Sequence, residues 1–246
     1  MDPQAMPPSP DVPDPTPLRE RLIDAGVELV ETGGAASLGL REIARRAGVS
    51  HGAPRRHFPT HHALLTAIAR RGFADLEARF EEVLGGEAGA SPERRLRVLA
   101  RSYVDFVLER RGMFELMFRH DLLDSDVHAA GDEHGTGAEG PRLREETLPL
   151  LATVAGLVGQ LRSGTAGSSP ETTAAALWAN LHGIALLWIW GSLPLALDVR
   201  PGSPASREAL DRLVTAAVDA HLADPGPHPH PGSHQEADPR PEPESV

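Results

Sequence analysis

The sequence predicts an all-α protein, with an N-terminal three-helix helix-turn-helix domain and a larger C-terminal helical domain, about nine helices in all. Three observations carry this. Apolar residues recur at helical spacing from Leu18 to Leu222. Alternating runs and clusters of β-branched residues, the signals of a strand, are absent. Gly pairs, Ser-Pro pairs and prolines fall where each periodic stretch stops.

Taken in order, residues 1–17 hold seven prolines and no periodicity, and read as a disordered tail. Leu18, Leu22, Ala25 and Leu29 line one helix face, which Gly33 and Gly34 terminate. Leu40, Ile43, Ala44 and Ala47 form a second stripe ending at Gly48. Ser50 is placed to cap a third helix that ends near His57, before Pro59. Thr60 caps a long fourth helix containing Leu65, Ile68, Leu76, Phe80 and Val83, closed by Gly85 and Gly86. Ser91-Pro92 opens a fifth, with Leu96, Leu99, Tyr103 and Val107; Met113 to Phe118 form a short sixth. After a loop at 131–140, Leu143, Thr147, Leu150, Val154, Leu157 and Leu161 mark a seventh. A loop at 163–169 precedes an eighth from about Pro170. A ninth runs from about Ser206 to Leu222, and 223–246 read as a second disordered tail.

The chain has 246 residues, no cysteine and a formal net charge of −11. Disulfides, zinc–thiolate sites and thiol chemistry are therefore excluded. No charged apolar leader opens the chain, so the expected compartment is the cytoplasm. All 24 basic residues are arginines; with the Ala, Gly and Pro excess, codon usage points to a GC-rich bacterial genome. The charge is unevenly spread. Leu18 to Phe80 carries 10 Arg against 7 acids, and the rest 14 Arg against 28 acids. Four histidines (His51, His57, His61, His62) add positive charge there when protonated. A mildly basic segment on an acidic body fits one anion-facing module.

That module is the stretch REIARRAGVSHGAPRRHF, Arg41 to Phe58. Two short helices joined through Gly48 and Val49 make a helix-turn-helix over 39–58. His51, Gly52, Arg55 and Arg56 are polar or small where a packing helix would be apolar. In a helix entering the major groove such side chains meet phosphates and base edges. The alternative is an αα-corner with a solvated basic face.

Residues 18–76 resemble the DNA-binding domain of TetR-family transcriptional regulators, on the signature LREIARRAGVSHGA…RHFPTHHALLTAI. The resemblance implies an all-α homodimer whose C-terminal domain, 77–222 here, binds a small molecule that changes the spacing of two reading heads. It implies DNA contacts at Arg41, Ser50, His51, Gly52, Arg55, Arg56, His57 and His61. Three residues depart from the family pattern: Arg55 stands for a tyrosine, His61 for a lysine, and Gly39 for a Ser or Thr cap. Each bears on phosphate contact, not on the fold.

The uncharged run Ala174 to Leu197 is long enough to span a membrane. Asn180, His182, Pro194 and the acidic flanks Glu171 and Asp198 argue instead for a helix buried between a domain core and a subunit interface. No membrane partner is expected. Trp178, His182 and Gly183 also resemble a TetR subfamily with a Trp-His-Gly C-terminal domain. Tyr103, Phe106, Met113, Phe114, Met117, Trp178 and His182 are the candidate effector contacts, because Met and aromatics adapt to irregular apolar ligands; plain core is the competing reading. Leu181, Leu186, Leu187, Leu210 and Val214 are the candidate dimer interface. His228, His230 and His234 lie in a proline-rich setting that favours a solvated tail over a metal site. No cofactor or metal is expected. The expected function is a ligand-responsive repressor released from palindromic double-stranded operator DNA. An all-α enzyme lacks support from any nucleophile, paired-carboxylate or HExxH pattern. A membrane-tethered regulator is the third class.

Overall fold

The computed structural model describes residues 17–119, 143–161 and 168–223. The expected tails beyond Pro17 and Ala223, with His228, His230 and His234, lie outside the described residues, as do the loop at 131–140 and all but the end of that at 163–169. Among the described residues there is no strand, and there are nine α-helices. They are α1 (Leu18–Gly33), α2 (Leu40–Arg46), α3 (His61–Gly86), α4 (Pro92–Glu109), α5 (Arg111–Met117), α6 (Leu148–Leu161), α7 (Pro170–Ile189), α8 (Ser192–Ala196) and α9 (Pro204–Leu222).

Helix starts follow capping chemistry. The Thr60 hydroxyl accepts from the Ala63 amide at 3.0 Å. Ser91, Ser169 and Ser203 do the same for α4, α7 and α9. In each of those three, proline follows the serine, at a position whose N–H has no intrahelical partner. The last case corrects the expected start of α9 from Ser206 to Pro204. Gly34, at φ 69°, ends α1 as the glycine pair predicts.

Three segments differ from the sequence reading. The expected third helix, Ser50 to His57, is not an α-helix: it is a turn over 51–53 followed by one 3-10 turn, Pro54–Arg56. An α-helix capped by Ser50 would give the Ser50 carbonyl the N–H of residue 54, and that residue is proline. The carbonyl takes the Ala53 amide instead, and Ala53 and Pro54 likewise accept from residues three ahead, Arg56 and His57. Leu143–Thr147 is also 3-10, so the α-helix expected from Leu143 starts at Leu148. The run to Leu197 is not one helix either. Gly191 sits at φ 80° between α7 and α8, and Pro194 could not have donated to the carbonyl of Trp190.

The N-terminal head packs α1, α2 and the first turns of α3 around Leu22, Ile43, Leu64 and Ile68, all fully buried. Arg21 of α1 donates to the Ala47 carbonyl at 2.7 Å and fixes the end of α2. Gly48, at φ 69°, makes the turn that follows. α3 then continues unbroken for 26 residues. The division expected after residue 76 therefore falls inside a helix, and the two halves share it.

α5 lies in the seam between the halves, against α1 and α3. Two glycines make room for it. A Cβ on Gly112 would stand 2.1 Å from the Val30 carbonyl oxygen, and one on Gly72 within 2.8 Å of Met113 and Met117. Arg110, at the start of α5, ion-pairs with Glu31 of α1 and with Asp75 of α3. In the C-terminal half α4 is central, packed on α3, α6, α7 and α9. Arg97 of α4 holds Asp219 of α9 at 2.6 Å.

Candidate functional site

The outer side of the head carries the residues expected to meet an anion. Arg41, Ser50, His51, Gly52, Arg55, Arg56 and His57 are all exposed. Neighbouring arginines are neutralised locally: Arg45 pairs with Glu42, and Arg46 with Glu28 at 2.9 Å. Arg41, Arg55 and Arg56 are in no ion pair among the described residues. Pro54 and Phe58 are buried beneath this segment, and Arg19 lies 5.3 Å from the centre of the Phe58 ring. The reading segment is thus clamped at both ends of its 3-10 turn, with the two arginines standing outward. His61 is placed differently. It is half-buried, and its Nε2 donates to the Leu38 carbonyl at 2.6 Å. Only its other ring edge is left to face outward.

The C-terminal half encloses a cavity between α3, α4, α6 and α7, with about 530 Å³ not filled by protein atoms, part of it open to solvent. It is narrow: about 40 Å³ of it can hold the centre of a water molecule. Leu76 and Phe80 form the α3 wall, Leu96, Leu99, Ala100 and Tyr103 the α4 wall. Thr147, Leu150, Leu151 and Val154 close it from the α6 side, and Leu177, Trp178 and Leu181 from α7. No charged side chain is among these lining residues.

Of the seven candidate effector contacts, Tyr103 and Trp178 line this cavity. His182 stands directly behind them. Phe106, Met113, Phe114 and Met117 do not line it; they are fully buried core around the α5 seam, where Gly72 lets Met113 and Met117 approach α3. Their clustering in sequence reflects that seam. Phe118 was missed: it lines the cavity, and its ring lies edge-on to His182 at 4.9 Å. The Leu96-Leu99-Ala100-Tyr103 stripe of α4 was readable as a face, but nothing in its composition distinguishes a cavity wall from core.

Behind the wall runs a chain of hydrogen bonds. Trp178 Nε1, which can only donate, reaches Tyr103 Oη at 3.1 Å. The tyrosine hydrogen is left for His182 Nδ1, 2.9 Å away. His182 also packs against the ring of Phe114 at 5.0 Å. Burial pushes the Tyr103 phenol well above its ordinary value, against the opposite pull of the Trp178 hydrogen bond. Burial pushes His182 below its ordinary value. Both rings are therefore neutral near pH 7.

The candidate interface residues divide. Leu181, Leu210 and Val214 are buried within a single chain, in the packing of α7 and α9 on α4, and offer a partner no surface. Leu186 is half-buried and Leu187 is 41% exposed. Exposed apolar side chains continue beyond them at Trp190, Leu195 and Leu197. The outward face of α7 between Ala175 and Asn180 is otherwise built of alanine. Among the described residues α7 alone is long and apolar enough to cross a membrane, and here one of its faces packs on α4, α6 and α9.

Comparison with known proteins covers both halves. Residues 22–68 match the model described as bacterial regulatory proteins, tetR family, and residues 96–217 the one described as tetracyclin repressor-like, C-terminal domain. Neither description specifies a Trp-His-Gly type. The HTH-type transcriptional repressor KstR of Mycobacterium tuberculosis is 32% identical over 114 residues, 46% of this chain and 50% of that protein. KstR of Mycolicibacterium smegmatis is 26% identical over 119 residues, 48% of this chain and 57% of that protein. The chain thus spans little more than half the length of these curated relatives. A solved structure of a protein of unknown function from Rhodococcus sp. RHA1 is 30% identical, with a TM-score of 0.63, covering 86% of this chain and 97% of that one.

Proposed function

We infer the function from one premise: the chain belongs to the TetR family of bacterial transcriptional regulators. Its members are DNA-binding regulators and not enzymes. We propose that this chain is a repressor, cytoplasmic and homodimeric, which holds a palindromic double-stranded operator and is released by a small molecule in the cavity between α3, α4, α6 and α7. The observation that carries the DNA-binding half is the trio Arg41, Arg55 and Arg56, exposed and without ion-pair partners among the described residues, on a chain of net charge −11. Exposed arginines without carboxylate partners on a helix-turn-helix leave positive charge for the phosphates of DNA to meet. Ser50, His51, Gly52 and His57 surround them. The repressor names of the partial relatives favour repression over activation.

The dimer is proposed at the exposed end of α7, around Leu187 and Trp190, with the alanine face of α7 and the outer face of α9 completing it. One head covers few base pairs, so a palindrome read by two heads supplies the specificity. The seam supplies the coupling. α5 and Arg110 tie α1 of the head to α3 and α4, which also line the cavity.

The test is reciprocal titration. Selection from a random duplex pool gives the operator. A ligand that binds the DNA-incompetent spacing better by about 1–3 kcal/mol lowers operator affinity about five- to 150-fold, and the operator must weaken that ligand by the same factor. A folded protein that selects no duplex sequence sinks the reading.

A further inference from the structure

We propose that the cavity between α3, α4, α6 and α7 takes an uncharged, largely hydrocarbon molecule, and discriminates against the same skeleton carrying a carboxylate or an ammonium. This rests on the reading of that cavity as the effector site and names the ligand class it admits. Its basis is the wall. Fourteen of the described residues line the cavity, and none of these bears a charge. The polar atoms that reach the wall are already committed. Trp178 Nε1–H is spent on Tyr103, and the Tyr103 hydrogen on His182. Thr147 is not without a partner either. A carboxylate entering this space would lose its hydration and find no donor in return, and an ammonium would find no carboxylate. His182 cannot supply the missing cation. It stands behind Tyr103, it is held neutral by burial, and its Nδ1 is already hydrogen-bonded to the Tyr103 hydroxyl.

Size adds the second restriction. The space not filled by protein atoms reaches about 530 Å³ only when its solvent-open part is included, so the enclosed part suits a small ligand. Its walls are Leu, Val, Ala and aromatic side chains, so affinity should come from hydrocarbon burial, at about fourfold per methylene.

The probes are straight-chain alcohols from hexanol to dodecanol, with decanoate and decylammonium at matched chain length, all below micellar concentrations. Binding is read by calorimetry on the full chain. The expected result is an affinity rising about fourfold per methylene until the cavity is full, with decanoate and decylammonium at least tenfold weaker than decanol. Ala100→Leu and Val154→Leu, each checked for retained helical content, should both weaken decanol at least tenfold, because both side chains grow into the cavity. Decanoate or decylammonium within tenfold of decanol overturns the proposal. So does the absence of a chain-length slope, and so does full decanol affinity in both folded variants. Operator release is read separately. Decanol that binds as expected without releasing the operator leaves this inference standing and removes the effector-release reading. A charged ligand that releases the operator from this cavity, where decanol does not bind, does the reverse.

Discussion

The head and the cavity are built on opposite terms. The head presents Arg41, Arg55 and Arg56 outward on a short contiguous stretch, and its polar groups are left open. The cavity is assembled from four helices that are distant in sequence, and its polar groups are closed upon one another through Trp178, Tyr103 and His182. An open polar surface expects a charged partner. A closed one expects hydrocarbon. On the proposed function, coupling between two sites of such different chemistry runs through what they share, which is α3 and the α5 seam.

Glycine exposes that seam. The same substitution should give opposite results in the two regions. Gly112→Ala drives a Cβ into the Val30 carbonyl, which belongs to backbone and cannot swing aside. The expected loss is about 3 kcal/mol, read as a lowered Tm and denaturant midpoint. Gly52→Ala, in the reading segment, meets nothing within 4 Å. It should leave stability unchanged or raise it by about 0.5–1 kcal/mol. Equal effects at the two positions would mean that α5 is not close-packed on α1, and the route between the sites would have to be sought elsewhere.

The next effect belongs to the head alone. Arg55→Ala and Arg56→Ala should each keep the Tm, since neither side chain packs. Each should weaken operator binding. If a guanine contact is lost, the cost is about 1–3 kcal/mol with relaxed preference at one base pair. If a phosphate contact is lost, the slope of log K against log salt falls by about one. Unchanged affinity and slope in both variants would remove the 3-10 turn from the interface.

The same contrast explains what the sequence disclosed. The head was legible because its signals are local: Gly48 at the turn, Thr60 at the cap, and a charge pattern within one stretch. Its one error was local too, since Pro54 denies an α-helix the hydrogen bond that a Ser50 cap requires. The helix starts of the C-terminal half were legible where Ser-Pro marks them, but the 3-10 turn at Leu143–Thr147 and the break at Gly191 were not. Nor was the cavity. Composition singled out Met113, Phe114 and Met117, but which apolar side chains face an empty space depends on where four helices cross. Leu181, Leu210 and Val214 mislead for the same reason: an apolar stripe does not say whether it faces its own chain or another.

Within the cavity wall, Tyr103→Phe separates closed polarity from mere packing. The ring and its edge contact with Phe114, at 6.2 Å between centroids, remain. What is lost is the acceptor for Trp178 Nε1 and the donor to His182 Nδ1. Two part-buried groups are left without partners, for an expected destabilisation of about 1–3 kcal/mol. Trp178→Phe in the Tyr103→Phe background should then cost less than Trp178→Phe alone, because the indole N–H no longer has a partner to lose. Strict additivity of the two losses would show that the hydrogen-bond chain contributes nothing to stability.

The smallest expected effect is a pH dependence, and its sign distinguishes the buried histidine from those of the head. Burial lowers the pKa of His182 in the folded chain, so the fold favours the neutral ring. Unfolded histidine takes up its proton near its ordinary value of about 6.5. Above that value both states are neutral, and His182 adds no pH dependence. As the pH falls below it, the unfolded state binds a proton that the folded state refuses, and stability declines until the lowered folded pKa is reached. Protonation would also place a hydrogen on Nδ1, which could then no longer accept from the Tyr103 hydroxyl. His182→Phe removes this titration and leaves every other group in place. Denaturant midpoints of the two proteins from about pH 7 to about pH 5 should therefore diverge, with the wild type falling faster. Parallel curves would mean that the ring titrates in the folded chain as it does in water. The ring behind the wall could then carry a charge near a ligand, and the uncharged lining alone would carry the argument for an uncharged occupant.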